Sequence, residues 1–248
     1  MKDLIQVYAL GEKKTRETLQ TAPWSLLISL GLSLVFYLFN LLVSRLIFMG
    51  AIVGFIVALG YAAIVAYGMS IYEGVLNRGK PKLVPSRESL KYLSAVYGIY
   101  FILMIARLIT GIGGSYGNIF FALFFLLNPL PEAIYLDQQR GVEGLKHVLD
   151  FWKRNFFHWL LPLLIYLGLQ SLLLTPQGMI GGILGSDIVN QMSGFTVIRI
   201  GGSWDPVFIL RQILSLLFTG WYMILRGQLY RILRGGSARK RAFMAHFQ

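Results

Sequence analysis

The chain has 248 residues, of which 56% are hydrophobic and 14% are charged, with a net charge of +12 and no cysteine. Soluble domains carry about 25% charged residues, so this composition excludes an ordinary soluble domain and makes the lipid bilayer the solvent of the chain. The missing cysteine excludes disulfides, thiolate metal sites and cysteine nucleophiles.

Six apolar stretches are long enough to cross a membrane, which takes about 20 residues. The first two, residues 23–44 and 46–72, are separated only by Arg45. One helix over both would be about 75 Å long, against about 30 Å of hydrocarbon. We therefore expect a tight hairpin at this point. The remaining predicted spans cover residues 90–109, 116–135, 156–174 and 207–229.

The sequence thus predicts an all-α fold, a polytopic membrane helix bundle of about six transmembrane helices in three hairpins with amphipathic interfacial helices. Residues 1–22 are predicted to form a cytoplasmic amphipathic helix, residues 23–230 the six-span bundle, and residues 231–248 a basic cytoplasmic tail. The outer loop at 175–206 is rich in glycine and apolar residues. It could act as a lid over a cavity or only cap the bundle.

The basic residues indicate the orientation. Most of the 23 lysines and arginines fall before the first span, in the loops after the second and fourth spans, and at the C-terminal end. Basic loops stay in the cytoplasm, so we expect a multi-pass protein of the plasma (inner) membrane with both termini cytoplasmic. This asymmetry accounts for the high net charge and points to anionic membrane lipids, not nucleic acid, as the partner.

Each even-numbered predicted span ends on a tyrosine that is followed within a few residues by Arg-Gly. This pattern could mark a threefold repeat of helical hairpins. Alternatively, it could be a coincidence, since tyrosine at interfaces, arginine inside and glycine at helix ends are each common. The three occurrences are Tyr72 with Arg78-Gly79, Tyr135 with Arg140-Gly141, and Tyr230 with Arg234-Gly235.

Two segments have the pattern of helices that lie in the membrane interface. The first is residues 3–20. The second is residues 140–156, whose apolar face recurs every three or four residues and includes Val142, Leu145, Leu149 and Trp152. This face is a candidate docking site for a cytoplasmic or membrane protein subunit. The alternative is an elbow helix that leads into the fifth span.

The second span carries a small residue at every fourth position. Small side chains let helix backbones approach closely in lipid, so we expect this helix to be central and tightly packed. Its neighbour could lie in the same chain or in another copy, as in a homo-oligomer. The row comprises Gly50, Gly54, Ala58, Ala62, Ala66 and Ser70.

Four arginines are predicted near the outer interface: Arg45, Arg107, Arg199 and Arg211. Together they could contact an anion such as a phospholipid headgroup. The alternatives are snorkelling to headgroups and structural ion pairs. Glu132, at the inner end of the fourth span, is expected to pair with Arg140 or with a basic residue of another loop.

Apparent catalytic motifs lack the context that their chemistry needs. Residues 113–117 read GGSYG, but a membrane helix precedes them where a hydrolase needs a strand. Residues 74–81 resemble a phosphate-binding loop but end on proline, where that loop needs a hydroxyl. The acids and histidines have no metal-ligand spacing. We therefore predict no catalytic residue, no metal, no cofactor and no enzyme activity.

Residues 131–137 (PEAIYLD), 140–146 (RGVEGLK) and 152–155 (WKRN) resemble motifs of a broad family of uncharacterised six-helix bacterial membrane proteins. That family is similar to the membrane domain found ahead of some glycerophosphodiester phosphodiesterases. Where the family has an alanine, this chain has Gly144. The resemblance implies a six-helix bundle with cytoplasmic elbow helices and without catalytic residues.

The sequence favours a non-enzymatic subunit of a transport or membrane complex that handles a lipid or amphiphilic substrate. One alternative is a membrane scaffold that organises lipids or another complex without transport. Another is an intramembrane enzyme that uses Glu132 or an arginine.

Overall fold

The computed structural model describes residues 2–44, 51–80, 87–110, 125–173 and 205–235. All regular structure in these ranges is helical. The helices are α1 (Lys2–Thr21), a 3₁₀ segment (Pro23–Leu27), α2 (Ile28–Ser44), α3 (Ala51–Arg78), α4 (Arg87–Thr110), α5 (Leu130–Tyr135), α6 (Gly141–Leu173) and α7 (Pro206–Arg234).

Four segments in the described part of the chain are long and apolar enough to cross a membrane: Pro23–Val43, Leu59–Asn77, Gly141–Leu173 and Pro206–Arg234. The predicted all-α fold is thereby confirmed for the described residues, and the four apolar helices are compatible with a membrane protein. The count of six spans and their pairing into hairpins stay predictions. The third predicted span corresponds to α4, which packs along α3.

Helix α7 contacts α1, the 3₁₀ segment, α2, α3 and α6. Two of its glycines explain how the backbones come so close. A Cβ at Gly220 would lie 2.4 Å from the carbonyl oxygen of Leu26, and a Cβ at Gly227 would lie 2.3 Å from a methyl carbon of Leu76. A side chain at Gly220 would push the backbone of the 3₁₀ segment away, whereas one at Gly227 would displace the end of the Leu76 side chain.

The small residues of the second predicted span lie on α3. Ala62, Ala66 and Ser70 are buried. Gly54 and Ala58 belong to the same helix, and Gly50 lies outside the described residues. Helix α3 packs against α2, α4, α5 and α7, as expected for a tightly packed helix, and whether its small-residue row also meets another copy stays a prediction.

The three tyrosines of the Tyr…Arg-Gly pattern, Tyr72, Tyr135 and Tyr230, are all fully buried. The glycines differ. Gly79 and Gly141 have positive φ angles of 62° and 52°, which favour glycine, whereas Gly235 has a φ of −72°. The three tyrosines therefore share a buried packing role, whereas the glycines of the Arg-Gly pairs after them differ in backbone conformation.

Helix α6 contains a kink where the predicted interfacial segment meets the fifth predicted span. Asn155 has non-helical angles (φ −129°, ψ 20°), and its side-chain amide donates to the carbonyl of Phe151 at 3.3 Å. A side chain that enters the helical ladder is a recognised cause of kinks. The kink separates an N-terminal elbow from the apolar C-terminal half of α6.

Helix α1 docks against α7 through the face that the sequence predicts to be apolar. Val7 and Thr15 are buried, and a Cβ at Gly11 would lie 2.6 Å from Leu229. The Gln228 amide donates to the Thr18 hydroxyl at 3.0 Å. The N-terminal helix is therefore part of the packed structure, and its opposite face is left exposed.

Candidate functional site

A half-open groove of about 370 Å³ runs between α1, α6 and α7. Ligand pockets typically have about 300–1,000 Å³ and are mostly apolar, and this groove fits both criteria. Its walls are almost entirely aliphatic and aromatic. The lining residues are Tyr8 and Glu12 of α1, Pro162, Ile165, Tyr166 and Leu169 of α6, and Phe218, Trp221, Tyr222, Leu225 and Leu229 of α7.

The floor of the groove is a stack of aromatic rings. The rings of Tyr166 and Tyr222 are nearly parallel, with centroids 3.9 Å apart. Phe218 stacks on Tyr166 at 5.5 Å and on Trp221 at 5.5 Å. This stack joins α6 to α7 and offers flat apolar surfaces to an alkyl chain.

A chain of buried hydrogen bonds lies behind this floor. The Gln170 amide donates to the Thr219 hydroxyl at 2.9 Å and to the Ser215 carbonyl at 3.1 Å. The Ser215 hydroxyl donates back to the Gln170 side chain, and the Tyr166 hydroxyl lies 2.9 Å from the Thr219 hydroxyl. Such bonds join helices in lipid, so the Tyr166 ring is held in place.

Helix α1 closes one end of the groove. The Tyr8 hydroxyl donates to the carbonyl of His158 at 3.2 Å. Burial raises the pKa of Tyr8 to about 12, so the hydroxyl keeps its proton at neutral pH and remains a donor. The His158 side chain also lies 3.0 Å from a carboxylate oxygen of Asp3. Two contacts therefore fasten α1 to α6 at this end.

A buried ion pair lies on the other side of Tyr222. Arg226 donates to a carboxylate oxygen of Glu132 at 2.6 Å and to the carbonyl of Asn128 at 2.6 Å. Its guanidinium carbon is 5.9 Å from the ring centre of Tyr222 and 5.5 Å from that of Trp159. Because a charge in this setting needs a partner, the pair ties α5 to α7 behind the groove.

The partner of Glu132 is therefore Arg226 and not Arg140, which corrects the expectation from the sequence. The charge distribution groups Arg226 with the basic C-terminal end, but it lies inside α7 with 2% of its side chain exposed. Sequence reasoning missed it because position along a helix does not reveal which face a residue occupies. The available signal in the sequence was the neighbouring Gly227, which follows Gly220 by seven residues and so marks a closely packed face of α7.

The acidic residues of the PEAIYLD segment both bind arginines of α7. Besides the pair of Glu132 with Arg226, Asp137 accepts a bond from Arg234 and one of 2.7 Å from the Tyr230 hydroxyl. His147 lies 3.0 Å from the same Asp137 oxygen. These contacts give the segment a structural role, and Glu132 does not line the groove.

Some buried polar atoms of this region have no hydrogen-bond partner among the described residues: Asn128 Nδ2, Glu132 Oε1 and the Tyr135 hydroxyl. The Trp159 ring nitrogen satisfies the other side-chain atom of Asn128, at 2.9 Å. No cluster of three acids or histidines that could hold a metal ion occurs in the described part of the chain.

Arg211, the one of the four candidate anion-binding arginines whose side chain the structure describes, does not line the groove. Arg211 is exposed and lies early in α7, far along that helix from the end of the groove that α1 closes. Arg107 belongs to α4, and Arg45 and Arg199 lie outside the described residues. Their proposed contact with an anion stays a prediction.

The four residues of the candidate docking face of α6 differ in their exposure. Val142 and Leu149 are 70% and 43% exposed, and Leu145 packs partly against the core. Trp152 is buried, and its ring nitrogen donates to the carbonyl of Leu126 at 2.7 Å. Trp152 therefore anchors the elbow to the bundle, while Val142 and Leu149 remain available at the surface.

Comparison of the chain with protein-family models, with curated proteins and with solved structures gave no match.

Proposed function

We propose that this protein is a non-enzymatic integral membrane protein that handles a lipid or amphiphile as a subunit of a transport or membrane complex. The groove between α1, α6 and α7 carries the proposal. Its lining is apolar and aromatic, as an alkyl chain requires. Leu161 and Leu164, which adjoin the lining residues Pro162 and Ile165 on α6, are exposed and apolar, so an alkyl chain could enter from the surrounding lipid.

Filling the groove tests the proposal. Leu169 lines it, and Leu172 lies on the same helix outside it with 79% exposure. The variant Leu169→Trp should lose co-purified lipid, whereas the matched control Leu172→Trp should keep it. Native mass spectrometry of protein released from mild detergent measures the bound lipid. Equal retention in both variants, or no retained lipid in the wild type, would contradict lipid binding in the groove.

The proposal includes a topology of six spans in the plasma (inner) membrane, with both termini cytoplasmic. Distribution of the basic residues supports it, as does the resemblance to six-helix bacterial membrane proteins. Because the chain has no cysteine, single cysteines can be introduced without background. Cysteines at Lys80 and at Gly235 should both react only from the cytoplasmic side with an impermeant maleimide. Labelling of either one from the outside would refute this orientation.

A second subunit is part of the proposed complex, and the exposed Val142 and Leu149 support a contact on the α6 elbow. The double variant Val142→Ser/Leu149→Ser should reduce the mass of the particle extracted from native membranes. The matched control changes two exposed apolar residues of the other half of α6, Leu164→Ser/Leu172→Ser. An unchanged particle mass would contradict a subunit contact through Val142 and Leu149.

A further inference from the structure

The α1 end of the groove has a distinct chemistry. Glu12 is the one charged side chain among the described residues that line the groove. It is half exposed and pairs with Arg16, one helical turn further along α1. Arg16 donates from Nη2 and Nε to the same oxygen, Glu12 Oε1, at 2.5 and 3.1 Å. Neither of these hydrogen bonds uses the second oxygen, Oε2.

The length of the groove fits one leaflet of a bilayer. Along α7 it extends from Phe218 to Leu229, which is about 16 Å at about 1.5 Å per residue. The hydrocarbon core of a bilayer is about 30 Å thick, so the groove covers about half of it. An acyl chain from one leaflet would fill the apolar part and place its headgroup at Glu12.

The charges at this end indicate which headgroup fits. A carboxylate oxygen outside the ion pair can accept hydrogen bonds from an ammonium group, and the neighbouring guanidinium can donate to a phosphate. A headgroup that carries only negative charge offers Arg16 a phosphate but has no ammonium group for the Glu12 carboxylate. Tyr8 does not compete for the headgroup, since its hydroxyl already donates to His158.

We propose that the groove selects a phospholipid whose headgroup carries a protonated primary amine, with the amine at Glu12 and the phosphate at Arg16. This inference rests on the proposed lipid binding in the groove and adds the identity of the headgroup. Glu12 acts as the specificity-determining residue, and the aromatic floor binds the acyl chain of any phospholipid.

Competition between three lipids with identical acyl chains tests the inference. The full-length protein is reconstituted in nanodiscs with equal amounts of phosphatidylethanolamine, phosphatidylcholine and phosphatidylglycerol, and the retained lipid is counted by native mass spectrometry. Phosphatidylcholine has the same charge as phosphatidylethanolamine but no N–H donor. We expect phosphatidylethanolamine to be enriched about threefold over both, which is the scale of a partly exposed ion pair.

Two variants assign the preference to Glu12. Glu12→Gln should abolish the enrichment of phosphatidylethanolamine over the other two lipids. The matched control Glu17→Gln changes another exposed acid of α1 that does not line the groove, and it should keep the enrichment. Glu12→Lys should reverse the preference toward phosphatidylglycerol.

Failure of this inference is distinguishable from failure of the proposed function. Equal retention of the three lipids by the wild type, or an unchanged preference in Glu12→Gln, would overturn the amine selectivity and leave lipid binding standing. Lipid retention that is the same in Leu169→Trp as in the wild type would overturn both.

Discussion

The Tyr8 hydroxyl donates a hydrogen bond of 3.2 Å to the carbonyl of His158, to which Pro162 cannot donate a backbone hydrogen bond. In an α-helix this carbonyl would receive the N–H of the residue four positions later, and proline has no N–H. A backbone oxygen freed in this way must find another donor in a membrane protein. Tyr8 supplies it from α1, so a proline in α6 creates the contact that holds the N-terminal helix at the groove.

We expect Tyr8→Phe to lower the free energy of unfolding by about 1 kcal/mol, since it removes a partly buried hydrogen bond. In a Pro162→Ala background the helical donor is restored, and the same substitution should have little effect. Thermal unfolding in one detergent, followed for the four members of this double-mutant cycle, gives the coupling. Strictly additive effects would show that Tyr8 and Pro162 are not linked through the His158 carbonyl.

Replacing Arg226 by methionine should destabilise the protein by about 3–5 kcal/mol, because Glu132 would be left buried without its partner. Changing both residues, in Glu132→Gln/Arg226→Met, should recover much of the loss. Arg211→Met is the control, since it removes an exposed arginine of the same helix. If Arg226→Met unfolds at the same temperature as this control, the ion pair does not hold α5 against α7.

Gly220→Ala should destabilise the protein by about 1–3 kcal/mol, as overpacking does. The new methyl group would lie 2.4 Å from the Leu26 carbonyl oxygen, so the 3₁₀ segment would have to move. The control is Gly168→Ala on α6, where a Cβ meets no described atom within 4 Å. That substitution should stabilise the helix by about 0.5–1 kcal/mol. Opposite shifts in unfolding temperature are expected, and shifts of the same sign would contradict the close approach.

Gln170→Leu should loosen the floor of the groove, because Gln170 links Tyr166 of α6 to Ser215 and Thr219 of α7. Hydrogen bonds between membrane helices contribute on average about 0.6 kcal/mol and at most about 1.7 kcal/mol, so a loss in this range is expected. Ser171→Ala removes a bond within α6 only and serves as the control. The unfolding temperature and the retained lipid should both fall in Gln170→Leu. Neither should fall in Ser171→Ala.

Apolar length and charge distribution could be judged from the sequence alone, because crossing a bilayer sets a minimum length for any helix regardless of its neighbours. The amphipathic pattern of residues 140–156 likewise located an elbow, and the structure places a kink at Asn155, where that segment ends. The small residues Ala62, Ala66 and Ser70 formed a recognisable buried row for the same reason, since periodicity is a property of one helix.

Pairings between helices could not be predicted in this way. Glu132 and Arg226 are 94 residues apart, and Tyr8 and His158 are 150 apart. In lipid, the composition of a single helix does not show which face meets another helix, since lipid tails and leucine are equally apolar. The sequence by itself determined the apolar lengths and the placement of the basic residues, because both are properties of single segments. Only the tertiary structure decided that α1, α6 and α7 enclose an apolar groove with Glu12 at its end, because that groove exists only where three distant segments pack together.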